Sequence, residues 1–285
     1  MSPLALALIL FSALLHASWN LVLKKAGGGP AFAWLFSVVA LVLYAPAAFL
    51  SFPGLEVLAP GVLGVVAFSA FCEVGYTLSL QGAYLREDLS VVYPVARGTG
   101  PLLAVLLARP FLGERLGLNV LVGTVLVIAG SLYLVSRKNP LRALPHAGGI
   151  VLGVLAGIFI SGYTLVDKAA MSMFRLPPFF YFWAVLLLQV LFLAPVAAAR
   201  GEELRQAWSS RRKEALMIGL LCPLAYLVIL WALTFTPVSR VAPCREIGIV
   251  FGTFLGARFL GEKGLRGRLA ASIVVFIGVF LLAAW

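Results

Sequence analysis

Apolar side chains fill this chain in blocks of about 20 residues, the length of helix that crosses roughly 30 Å of hydrocarbon. Ten blocks predict ten transmembrane helices, over residues 3–23, 31–51, 60–84, 89–111, 117–136, 148–167, 178–199, 215–236, 239–260 and 265–284. Glycine, proline and clustered charge punctuate the gaps: Lys24-Lys25 with Gly27 to Pro30, Arg86-Glu87-Asp88, Arg137 to Pro145, and Arg200 to Glu214. Short connections join the third span to the fourth and the eighth to the ninth, so each pair is expected to form an antiparallel hairpin. The expected fold class is an all-α integral membrane protein.

Two of the blocks carry the same polar pattern. Val95-Ala96-Arg97-Gly98-Thr99-Gly100 leads on to Leu112-Gly113-Glu114, and Pro243-Cys244-Arg245-Glu246-Ile247-Gly248 leads on to Leu260-Gly261-Glu262. One offset of 148 aligns Arg97 with Arg245, Gly100 with Gly248, Gly113 with Gly261 and Glu114 with Glu262. The segment Trp19 to Lys24 aligns with Tyr163 to Lys168 at an offset of 144. The chain thus reads as two units of five spans: residues 1–136, a basic linker at 137–147, and residues 148–285. Five is odd, so the second unit enters the membrane upside down relative to the first. That is the inverted repeat of many secondary transporters.

Composition removes the soluble alternatives. Of 285 residues 62% are hydrophobic and 12% charged, with mean hydropathy +1.05, whereas a soluble domain carries about 25% charged residues. The net charge of +11 does not signal nucleic acid, because the basic residues are scattered through short loops. Fifteen fall on the side of the 1–2, 3–4, 5–6, 7–8 and 9–10 connections and five on the other. Basic loops stay in the cytoplasm, so both termini are expected outside it. Cys72, Cys222 and Cys244 lie inside apolar blocks, which excludes a disulfide framework and a CxxC metal cluster. The run from Leu4 to Leu15 has no basic residue before it and continues into His16, Trp19 and Asn20, so it reads as an uncleaved first span.

His16-Ala17-Ser18-Trp19-Asn20 followed by Lys24, Tyr93-Pro94-Val95-Ala96-Arg97-Gly98, and the two Leu-Gly-Glu endings resemble the EamA-type transporters of the drug/metabolite transporter superfamily. The resemblance covers essentially the whole chain, as two EamA units. It implies a ten-helix carrier in a bacterial or archaeal cytoplasmic membrane, working by alternating access with its substrate held between the halves. It leaves the substrate open, since members move amino acids, metabolites, nucleotide sugars and drugs. The Trp-Asn and Tyr-Pro-x-Ala-Arg-Gly pattern is similar to a subgroup associated with phosphonate use. Ten-span members are usually drawn with cytoplasmic termini; the basic-residue count here points the other way.

An arginine within hydrocarbon is costly and faces a cavity or a partner, so Arg97 and Arg245 mark the candidate site. Each lies about a third of the way into its span, and inversion brings both near the midplane. A guanidinium can clamp carboxylate, phosphate or phosphonate oxygens. Alternatively the arginines form structural ion pairs, Arg97 with Glu73 or Arg245 with Glu246. Glu73, in Phe71-Cys72-Glu73-Val74-Gly75-Tyr76, can take up a proton, bind a substrate ammonium, or serve as an internal counter-ion. Glu246 stands where the first unit has Gly98, a divergence that a non-symmetric substrate requires. His16, Trp19 and Asn20 share one helical face, and Tyr76, Tyr163 and Thr164 extend the candidate lining. That polar-aromatic stripe lines a cavity, or bonds between helices with Trp19 in an interfacial belt. Lys24 and Lys168 read as snorkelling at membrane edges. Gly248, Gly252 and Gly256 read as a small-residue packing ridge, and Glu114 and Glu262 as structural or gating residues.

A carrier for a small polar metabolite, anionic or zwitterionic, is the expected function. A proton-coupled exporter of drugs or cations using Glu73 and Glu246 is the alternative. A membrane-embedded enzyme is disfavoured, since there is no GxSxG or HExxH and only His16 and His146 supply imidazole. A channel would call for a continuous polar stripe or a selectivity loop, and neither is visible. No Walker motif is present, so substrate gradients, counter-substrate or protons would drive transport. No cofactor or metal is expected. The expected partners are the substrate and membrane lipids, with the chain as a monomer or homodimer.

Overall fold

The computed structural model describes residues 1–26, 30–84, 86, 89–136, 147–260 and 265–284. The linker over 137–146 and Gly261 and Glu262 of the second Leu-Gly-Glu therefore lie outside the described residues. Among the described residues the chain is all helix, without strands. The helices are α1 (Pro3–Ala26), α2 (Pro30–Leu50), α3 (Pro60–Tyr84), α4 (Leu89–Leu112), α5 (Leu118–Ser136), α6 (Ala147–Ser172), α7 (Pro178–Ala198), α8 (Gly201–Phe235), α9 (Val238–Cys244), α10 (Ile247–Leu260) and α11 (Leu265–Ala283). Proline opens α1, α2, α3 and α7, where its missing N–H costs no helical bond. Seven helices (α1 to α4 and α6 to α8) are long and apolar enough to cross a membrane, and α5 and α11 hold shorter apolar stretches.

Two elements differ from the sequence expectation. The charged segment Arg200 to Glu214, expected as a loop, is helical up to a kink at Arg211 (φ −132°, ψ 24°). Strong helix formers supply it, Glu202 and Glu203 favour its N-terminus, and Ala207 tucks against Phe32, Ala215 and Ile218. The block expected as one helix over 239–260 is broken at Arg245 and Glu246 into α9 and α10. Pro243 brings no N–H, and the turn tightens: Glu246 N–H bonds Pro243, Gly248 bonds Arg245, and Ile249 bonds Glu246, all three residues back.

α6 lies against both α3 and α4, α8 against α1 and α2, α2 against α7, and α5 against α11. Glycines set two of these crossings. A Cβ on Gly157 of α6 would stand 2.5 Å from Thr99 of α4, and one on Gly100 would stand 2.6 Å from Ile160. The α5–α11 contact is similarly close, with Gly123 against the Gly278 carbonyl and Gly130 against that of Ala271. Of the expected ridge on α10, Gly248 is in ordinary contact with Ala13 and Gly252 meets nothing within 4 Å, while the surroundings of Gly256 lie outside the described residues.

The α2–α7 contact is reciprocal. Trp34 Nε1 donates to the Val190 carbonyl at 3.1 Å, and Trp183 Nε1 donates to the Leu41 carbonyl at 2.9 Å. Trp34 and Trp183 are separated by 149 residues, as are Leu41 and Val190. At the ends of the bundle the Met1 ammonium donates to the Ala283 carbonyl at 2.9 Å, so α1 begins on the side where α11 finishes.

Candidate functional site

Arg97 projects from α4 to the break between α9 and α10, where its Nε lies 3.1 Å from Glu246 Oε2. The side chains are 15% and 4% exposed, so the pair is largely withdrawn from solvent. Sequence reasoning offered Arg97 with Glu73 and Arg245 with Glu246 as structural pairs; the structure instead pairs Arg97 with Glu246. Adjacent residues of a helical turn point about 100° apart. Glu246 therefore turns to α4 while Arg245 turns to α8, its guanidinium carbon 5.5 Å from the Tyr226 ring centroid.

Tyr226 leads to a second buried carboxylate. Its hydroxyl donates to Asp167 Oδ2, while Ser69 Oγ and Tyr181 hydroxyl donate to Asp167 Oδ1 at 2.8 and 2.6 Å. Asp167 is 1% exposed and gathers α3, α7 and α8 around α6. The neighbouring Lys168, half-buried, donates to the Leu233 carbonyl at 2.7 Å rather than reaching for water. Sequence reasoning missed Asp167 and Tyr226 as site residues. The signal was present: at the 144-residue offset Asp167 faces Leu23, an apolar residue replaced by a charge.

Two narrow cavities meet at the arginines. One is lined by Ser12, Ala13, His16, Arg97 and Arg245; the other includes Thr164, Tyr163, Gly100 and Glu246 beside the same two arginines. The candidate residues divide around them. His16 lines the first cavity and stacks edge-on against Trp19, with centroids 4.8 Å apart. Trp19 packs toward Phe32 and Ile218, its buried indole N–H without a partner among the described residues. Asn20 is exposed, and its amide returns to the His16 carbonyl at 2.7 Å, away from both cavities. Tyr76, Tyr163 and Tyr226 form a chain of edge-on rings at 6.3 and 6.4 Å. Glu73 of α3 makes no ion pair among the described residues. Lys24's side chain lies outside the described residues.

Apolar helices closing around buried charges define an integral, multi-pass helical membrane protein. Residues 147–284 match the EamA-like transporter family, and the chain carries an EamA domain. The chain is 25% identical over 224 residues to the uncharacterized transporter YwfM of Bacillus subtilis (strain 168), covering 77% of this chain and 73% of that protein. A solved crystal structure shares its fold with TM-score 0.78 over 97% of this chain and 95% of the other, at 16% identity. Family and relative together support a membrane transporter.

Proposed function

We propose that the chain is a secondary active transporter that moves a small anionic or zwitterionic metabolite, such as an amino acid or phosphonate-type compound, by alternating access. The observation that carries this reading is the ion pair between Arg97 and Glu246, which links α4 to the α9–α10 break across the two halves. A substrate oxyanion competes with Glu246 for Arg97 and takes up Arg245, while a substrate ammonium takes the released Glu246. Binding thus exchanges one closed pair for two substrate contacts, and such an exchange can couple occupancy to movement of the halves. Discontinuous helices meeting at the substrate are a recurrent device in carriers.

Two inverted five-helix repeats would supply the moving halves. The reciprocal Trp34 and Trp183 bonds support this, because exchanging the halves turns each bond into the other. The meeting of both chain ends supports an even number of crossings. The basic-residue asymmetry puts those ends outside the cytoplasm.

A second reading, proton-coupled export through Glu73 and Glu246, is favoured by the lack of an ion pair at Glu73 among the described residues. Screening amino acids, phosphonates, sugar phosphates and polyamines for thermal stabilisation tests the substrate class, because a ligand of the folded state raises its apparent stability. In proteoliposomes loaded with the stabilising compound, Arg245→Ala is expected to abolish uptake while remaining monodisperse. Normal uptake by that variant overturns the anion clamp. Loss of proton-driven accumulation with retained exchange in Glu73→Gln would select the second reading.

A further inference from the structure

The two half-buried arginines are held differently. Arg97 is ion-paired, whereas Arg245 makes no ion pair among the described residues and lies over the face of Tyr226. The hydroxyl of that ring donates to Asp167. Asp167 is buried, and its remaining donors, Ser69 and Tyr181, are also hydroxyls. No lysine or arginine pairs with it among the described residues; Lys168 is committed to the Leu233 carbonyl. Among the described residues, a guanidinium without an ion-pair partner thus rests on the face of a tyrosine whose hydroxyl bonds a carboxylate that also lacks one.

We propose that Asp167 is the remote counter-charge of Arg245 and, through Tyr226, a positioning residue that leaves the guanidinium's N–H donors open for the substrate's oxyanion. This rests on Arg245 being a substrate-binding group, as argued above. A direct carboxylate partner would occupy two of the fork's donors. Attraction to an aromatic face holds the cation without using them. A hydroxyl donating to an anion gains electron density, so Asp167 strengthens the face on which Arg245 rests. Three hydroxyls from α3, α7 and α8 fix the carboxylate without neutralising it. The chain has Leu23 where the 144-residue offset aligns Asp167, and Arg97 pairs directly with Glu246.

The link is tested without ligand, by double-mutant cycles on the full chain in detergent read as melting midpoints. Asp167→Asn and Arg245→Gln should each lower the midpoint, and the double variant should fall no further than the worse single one. Asp167→Asn with Arg97→Gln should be additive. Where Asp167→Asn does not fold, Tyr226→Phe takes its place, since it keeps the ring and severs the hydroxyl link. Additive shifts with Arg245→Gln overturn the proposal. A second readout separates positioning from packing: the 2-aminoethylphosphonate concentration giving half-maximal thermal stabilisation should rise about tenfold in Tyr226→Phe, with the saturated shift retained. An unchanged half-point also overturns the proposal. If 2-aminoethylphosphonate fails to stabilise even the unaltered protein, that counts against the substrate class, and the ligand-free cycle still decides the Asp167–Arg245 link.

Discussion

Glu114 caps the helix that begins at Val238 and Ser239: its carboxylate accepts the Val238 N–H at 2.7 Å and the Ser239 N–H at 3.0 Å. The residue before it makes this possible. Gly113 takes a left-handed conformation (φ +66°), its N–H bonding Arg109 and the Glu114 N–H bonding Ala108 at 3.0 and 3.3 Å. The five-to-one bond from the left-handed Gly113 to Arg109 is the αL ending of α4. Leu-Gly-Glu in the first unit is therefore a helix stop followed by a carboxylate aimed at the first turn of α9, where two N–H groups have no helical acceptor.

Removing the cap should be costly. Glu114→Ala leaves those donors without an acceptor, a loss of about 1–3 kcal/mol. Gly113→Ala forces a Cβ into left-handed backbone and should cost about 1–2 kcal/mol. Both should lower the melting midpoint of the purified protein, and Glu114→Gln, which keeps one acceptor oxygen, should fall between. An unchanged midpoint in Glu114→Ala would remove the cap from the account.

The helices were legible because lipid imposes a length and a composition on each block, and these survive without any knowledge of neighbours. The break at Arg245 and Glu246 was less so: Pro243 was visible, but Pro94 precedes Arg97 similarly and α4 runs on unbroken. The arginines stood out as charges in apolar blocks. Their partners did not, because Glu246 lies almost 150 residues from Arg97 and only packing brings them together. Asp167 was hidden beside Lys168, where an adjacent acid and base resemble a membrane edge. Its burial depends on Ser69, Tyr181 and Tyr226, three polar side chains contributed by three other helices.

Glycine substitutions should separate tight crossings from open ones. A Cβ on Gly123 would lie 2.8 Å from Leu282 and 2.9 Å from the Gly278 carbonyl, so Gly123→Ala must push α5 away from α11. Overpacking of this kind costs about 1–3 kcal/mol. Gly252→Ala meets nothing within 4 Å and should leave the melting midpoint unchanged or slightly raised. Equal effects at the two positions would contradict the crossing geometry.

Orientation can be decided by labelling. In a background with Cys72, Cys222 and Cys244 replaced by alanine, single cysteines at Ser209 and after Trp285 are exposed to an impermeant maleimide on intact cells. The cysteine after Trp285 should label and the one at Ser209 should not, because Ser209 belongs to the most basic connection. The opposite pattern would place both termini in the cytoplasm.

The pair between Arg97 and Glu246 allows its structural and functional roles to be separated. Arg97→Ala strands Glu246, whose side chain is 4% exposed, and breaking a buried pair on one side costs about 3–5 kcal/mol. Arg97→Ala combined with Glu246→Ala removes both charges and should recover most of that stability, because nothing is left uncompensated. Uptake should not recover with it if Arg97 grips the substrate's oxyanion. Arg97→Lys keeps the charge but loses the planar fork, so it should bind substrate detectably but more weakly than arginine. Melting midpoints and proteoliposome uptake on the same preparations give the answer together. A double alanine variant that is both stable and active would reduce the pair to a strut between the halves and leave Arg245 alone as the anion site.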